Sequence, residues 1–163
     1  MSGVVEKAPS LGLRLVRLVP GKMSPVACFD QMMASWPTEL AEHLSAAEAN
    51  QLPSVLYSVL SGDLSCQVLL QQLTPFTVKQ ALTVIAAMLQ TQQFGINGLP
   101  LNRHWGVFIV KLPDATLKVL GCCSQSGKPG SWRMQLFSVD HAVVFGSGTR
   151  LFSPGQAPTT KER

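Results

Sequence analysis

A chain of 163 residues with a net charge of +4 and 46% apolar residues has the size of one domain and enough apolar material for a core. That excludes a wholly disordered or fibrous protein. Charged residues make up 13%, against roughly 25% in an average soluble domain. So uncharged a surface relies on Gln, Ser, Thr and Asn. Part of it is expected to lie against another protein or a second copy, because interface cores are depleted in charge.

The charge is unevenly divided: residues 1–22 carry +3, residues 23–99 carry −4 and residues 100–163 carry +5. Such a layout can steer a partner toward one end of the molecule. Leu11–Val19 is broken by Arg14 and Arg17, so it lacks the continuous apolar run of a secretory leader. The apolar run Ala81–Leu89 is far short of the roughly 20 residues that cross a bilayer. A cytoplasmic protein without membrane contact is expected. Cys28, Cys66, Cys122 and Cys123 read as reduced thiols, since their spacing is not that of a disulfide framework.

Residues 1–10 read as a flexible N-terminus, and Leu11–Val19 as a first strand closed by the turn pair Pro20-Gly21. Ser24-Pro25 supplies an N-cap and a first-turn proline. Val26, Phe29, Met33, Trp36, Leu40 and Leu44 then follow at helical spacing, with a break or restart at Pro37. Ser45–Glu48 has the form of a capping box. Pro53–Gly62 and Asp63–Leu73 continue the helical pattern. Thr74-Pro75 opens the strongest helix, Pro75–Gln92, which is apolar nearly all round, as a central core helix is.

From His104 the texture changes. Trp105–Lys111 and Thr116–Cys122 flank a hairpin turn at Leu112–Ala115, and both faces of the first are apolar, so it is central or covered on each side. Ser124–Gly130 reads as a loop. Trp132–Ser138 and Ala142–Phe145 form a second hairpin about Val139-Asp140-His141, and Thr149–Phe152 is a last strand before a disordered tail at 153–163. The fold class is therefore α+β. A helical part over 24–94 packs on a four- or five-stranded antiparallel sheet from 104–152, with 11–19 as a candidate extra strand, in a single domain over 11–152.

Motifs with chemistry are sparse. A thiolate nucleophile needs a base beside it, and Cys122 or Cys123 with His104 or His141 offers the material. His104-Trp105-Gly106-Val107-Phe108 resembles the strand carrying the catalytic histidine in permuted papain-like hydrolases of the lecithin:retinol acyltransferase kind. The resemblance implies a thiol hydrolase with a histidine base. It covers that pentapeptide alone: the family's nucleophile lies in a later Asn-Cys-Glu-His-type motif, and no cysteine follows Cys123. Three histidines and four cysteines show no ligand spacing, so neither metal nor cofactor is expected. Gly146-Ser147-Gly148-Thr149 reads as a strand-connecting turn rather than a phosphate loop, since no lysine or helix follows. Glu39, Glu42 and His43 read as solvated helix surface.

Two binding functions remain, and no catalytic residue is nominated. The first is a non-catalytic accessory or adaptor protein acting through protein–protein interaction, as a homodimer or a subunit of a larger assembly. Its contact candidates are Met32, Met33, Trp36 and Trp132, because methionine adapts and tryptophan anchors at interfaces. The alternative is an accessory nucleic-acid binder using Arg103, Lys118, Lys128, Arg133 and Arg150. These, with Lys111, interleave with Trp105, Phe108, Trp132 and Phe137 in the strand half. The thiol hydrolase is third.

Overall fold

The computed structural model describes residues 12–18, 23–40, 42–43, 54–93, 105–124, 132–139 and 143–155. In chain order these form β1 (Arg14–Arg17), α1 (Pro25–Met32), β2 (Met33–Ser35), a 3₁₀ turn (Thr38–Leu40), β3 (Ser54–Val59) and β4 (Leu64–Ser65). There follow α2 (Cys66–Gln72), β5 (Phe76–Thr77), α3 (Val78–Gln93), β6 (Gly106–Lys111), β7 (Leu117–Ser124), β8 (Trp132–Ser138), β9 (Val144–Phe145) and β10 (Arg150–Gly155).

The helix starts are written in short polar signals. Ser24 Oγ accepts from the Ala27 amide at 3.2 Å, with Pro25 in the first turn of α1. Ser65 Oγ caps α2 in the same way through Val68. A reciprocal box opens α3: Thr77 Oγ1 accepts from the Gln80 amide at 3.1 Å, and Gln80 Oε1 accepts from the Thr77 amide at 3.0 Å.

Seven strands form one mixed sheet in the order β1-β3-β10-β6-β7-β8-β2, and β5 joins the β10 side of β6. The meander β6-β7-β8 is antiparallel, turned at Leu112–Thr116, where Ala115 takes a left-handed backbone (φ 71°) and Asp114 accepts from the Thr116 amide. Parallel pairing enters at the border, where β2 joins β8, and where β10 and β5 share one edge of β6: Gly106–Phe108 faces β10, and Val110–Lys111 faces β5. A short ribbon, β4 with β9, stands apart from this sheet.

Alternation along each strand gives the sheet two faces. Phe108, Val110, Leu120, Cys122, Met134 and Phe152 point toward α1 and α3, and every residue from Ala81 to Gln90 is buried there. Phe108 stacks on Phe152 at 4.7 Å and tilts against Phe76 at 5.4 Å. Gln90 ties α3 to the chain entering α1, accepting from the Met23 amide at 2.8 Å and donating to its carbonyl at 3.2 Å. The opposite face presents Val107, Ile109, Val119 and Leu151 to the smaller α2, through Leu69 and Leu73.

The mixture of helices and strands agrees with an α+β class, and Trp105–Lys111 is central with both faces buried. Several finer expectations are corrected. The sheet is mixed and larger than four or five antiparallel strands. Pro53–Gly62 is not helical: Ser54–Val59 within it is β3, because Val55 and Tyr57 serve one face while Leu56 and Ser58 serve the other. A short apolar run fits either period. The first helix stops at Met32 and yields to β2, well before Pro37. The longest helix begins at Val78, its expected first turn being taken by β5. Val144–Phe145 pairs with β4 rather than β8. The sheet also claims Ser153–Gly155 as buried strand, so a tail cannot begin at 153. The N-terminus 1–10, the turn at Pro20-Gly21, the Ser45–Glu48 box, most of Ser124–Gly130, the turn residues Asp140 and His141, and residues 156–163 lie outside the described residues.

Candidate functional site

The second face of the sheet is only partly roofed. Between the β6-β7-β8 meander and β9 lies an open groove of about 280 Å3, lined among the described residues by Trp105, Val107, Val119, Gly121, Phe137 and the Val143–Phe145 segment. None of these side chains is ionisable. Gly121 makes the floor possible: a Cβ there would stand 2.9 Å from Cε3 of Trp105 and 3.3 Å from Cε2 of Phe137. The Trp105 ring therefore lies close against the backbone of β7 at Gly121 and meets Phe137 edge to face at 6.1 Å.

The far wall is fixed by backbone bonds. Cys66 donates to the Val143 carbonyl at 2.8 Å, while Leu60 donates to Thr149 and Gly148 donates back to Leu60. Gly146–Thr149 is thus a strand-connecting turn, with Gly148 left-handed at φ 92°. Arg150 donates to the Trp105 carbonyl at 2.9 Å, holding the start of β6. On this fixed frame Phe137 is 42% exposed and Val144 56% exposed. Adjacent apolar side chains left in water on a rigid wall are the usual mark of a contact surface.

The contact residues nominated from sequence do converge, but inward. Met33 stands opposite Trp132 where β2 meets β8, both are buried, and Trp36 packs edge to face on Phe29 at 6.0 Å. Met33 and Trp132 fill the core beneath α1 and offer nothing to a partner. Met32 ends α1, and its side chain lies outside the described residues. The exposed apolar residues Val143 and Val144 were not singled out from sequence; two adjacent valines in a short run carry no signal of exposure.

The basic residues do not share one platform. Lys118 and Arg150 alternate onto the helix-side face, Lys111 and Arg133 onto the groove side, and Phe108 and Trp132 are buried. Arg103 and Lys128 lie outside the described residues. At the opposite end of the sheet a second open cavity, of about 400 Å3, is lined by Arg14, Tyr57 and Val59. Beside it Arg150 Nε donates to the Tyr57 hydroxyl at 3.3 Å.

All four cysteines are buried and none is in a disulfide. Burial pushes Cys28 up to about 12, only partly opposed by its contact with Gln90, and its Sγ donates to the Ala86 carbonyl. Burial also raises Cys122 strongly, reinforced by the neighbouring Cys123 and Cys28, and raises Cys123 against the pull of Arg133. These three thiols are held as neutral S–H, the reverse of an activated nucleophile. His104 and His141 lie outside the described residues, whereas Glu39 and Glu42 are exposed and His43 is half-buried. Among the described residues no three His, Cys, Asp or Glu side chains are grouped to hold a metal, and no helix is long and apolar enough to cross a membrane.

No family model, curated protein or solved structure matches the chain.

Proposed function

We propose that the protein is a non-catalytic accessory or adaptor component that binds another protein chain through the groove beside Trp105, Phe137 and Val144. The observation that carries this reading is the groove in the partly open second face, whose lining is uncharged and whose exposed apolar side chains stand on hydrogen-bonded walls. A preformed apolar groove binds at little ordering cost, because its aromatic walls are already in place. Four cysteines outside any disulfide suit a reducing compartment such as the cytoplasm.

The test is a comparison of affinity-purified partners of the wild type and of Val144→Asp, a substitution at an exposed position that puts a carboxylate in the groove. Equal thermal stability with loss of a stoichiometric partner supports the proposal. An unchanged set of partners overturns it. A second reading, an accessory nucleic-acid binder, has one observation in its favour: Arg14 and Arg150 both flank Tyr57. Binding of a single-stranded oligonucleotide that falls steeply with salt and is lost in Arg14→Ala would support it. Absence of binding at low salt would remove it.

A further inference from the structure

We infer that the open edge of β8 is a homodimer seam, along which two copies pair antiparallel and join their sheets into one. The inference rests on reading this side of the sheet as protein-binding and goes further by naming the partner.

The two borders of the sheet differ. At one, β1 carries Arg14 and Arg17, and charge on an edge strand discourages a further strand from adding. At the other, β2 covers β8 only at Trp132 and Arg133. From Met134 to Ser138 the strand pairs with β7 on one side, and among the described residues nothing pairs with its outer side. An unpaired row of amides and carbonyls on a stretch lacking proline and charge is a template for another strand.

The occupant follows from charge. Each copy carries a net charge of +4, and a two-fold seam sets a stretch against itself, so a seam without ionisable side chains avoids placing like charges together. Met134-Gln135-Leu136-Phe137-Ser138 has no ionisable side chain, whereas pairing through β1 would bring arginines together. The stretch left open by β2 is centred on Leu136. An antiparallel two-fold there sets Leu136 against its own copy, Gln135 against Phe137 and Met134 against Ser138. Phe137, now 42% exposed, would gain a neighbour on the groove face. The two Arg133 residues would fall about 20 Å apart along the strands. The seam is short, so a reversible dimer of micromolar strength is expected.

Sedimentation of the full chain across the micromolar range should show a monomer–dimer equilibrium. Replacing Gln135 and Ser138 together by lysine should weaken it roughly tenfold or more. Residues facing each other across a two-fold have Cα atoms about 4.5–5.5 Å apart, within disulfide reach. Leu136→Cys should therefore link to its own copy on mild oxidation. Ser138→Cys should not, its copies lying about 14 Å apart along the strands. A monomer at every concentration overturns the inference, as does a dimer linked through Ser138→Cys but not Leu136→Cys. Val144→Asp separates the two proposals. A monomer with a partner that Val144→Asp releases removes the dimer and leaves the groove reading. A Leu136→Cys-linked dimer whose partners are indifferent to Val144→Asp removes the groove reading and leaves the dimer.

Discussion

The two faces of the sheet come from the same strands, residue by alternate residue, yet they are finished differently. The face carrying Phe108, Leu120 and Phe152 is closed by α3, a helix buried on every side from Ala81 to Gln90. The face carrying Val107, Val119 and Gly121 is closed over β10 and part of β6 by the short α2, and is left open toward β8. The difference lies in the length of the covering helix rather than in the strands. A seven-residue helix spans only about 10 Å, too little to roof the meander. What it leaves bare is the groove.

If the first face carries stability and the second carries contact, substitutions should separate by face. The largest loss is expected from Phe108→Ala, which empties a fully buried site between two aromatic rings and should cost about 3–5 kcal/mol. Urea unfolding of the variant measures it. A loss below 1 kcal/mol would mean that the helical face is not the main core.

Next comes alkaline pH. Cys28 is raised from 9.0 to about 12 and Cys122 is raised by burial as well, so the folded state keeps protons that the unfolded chain has released. Their contribution to stability is intact below pH 9.0 and is lost progressively between there and about pH 12. Each thiol contributes about a tenfold fall in the folding equilibrium per pH unit in that window. Denaturation midpoints of the wild type and of Cys28→Ala should therefore converge as pH rises. Parallel curves would show that burial of Cys28 does not govern its proton.

Gly121→Ala tests the junction between stability and contact. Its new methyl group collides with the rings of Trp105 and Phe137, which can yield only by opening the floor of the groove. A cost of about 1–3 kcal/mol is expected, with a change in tryptophan emission that Phe108→Ala does not reproduce. An unperturbed spectrum at full stability would mean that Trp105 does not lie close against β7 at Gly121.

The helical face was the more legible in sequence. Ser24-Pro25 and the run from Ala81 to Leu89 declare themselves through capping chemistry and near-continuous apolarity, and Leu112–Ala115 is a turn by composition. The Thr77-x-x-Gln80 box that opens α3 is a start signal the reading from Thr74-Pro75 misses, and β5 pairs in the intervening residues. What stayed hidden depends on partners distant in sequence. Whether Val55-Leu56 is strand or helix, whether β10 runs parallel to β6, and whether Trp132 faces core or solvent are settled by neighbours that no local window contains. The groove was hidden for the same reason: Trp105, Phe137 and Val144 come from separate segments, and only the fold shows which of them remains in water.

The smallest effect on stability carries the most weight for function. Val144 is 56% exposed on a two-residue strand, so Val144→Asp removes little buried area and should change stability within about 0.5 kcal/mol. A carboxylate beside Phe137 and Trp105 nevertheless makes the groove hostile to any apolar partner, which would have to desolvate that charge to dock. An environment-sensitive apolar dye offers a measurement free of any partner: its fluorescence with the folded wild type should fall in Val144→Asp, while the urea midpoint stays put. If both fall together, the segment around Val144 is structural and the division of labour between the two faces fails. If neither moves, the groove is closed in solution, and its apolar lining belongs to the core it borders.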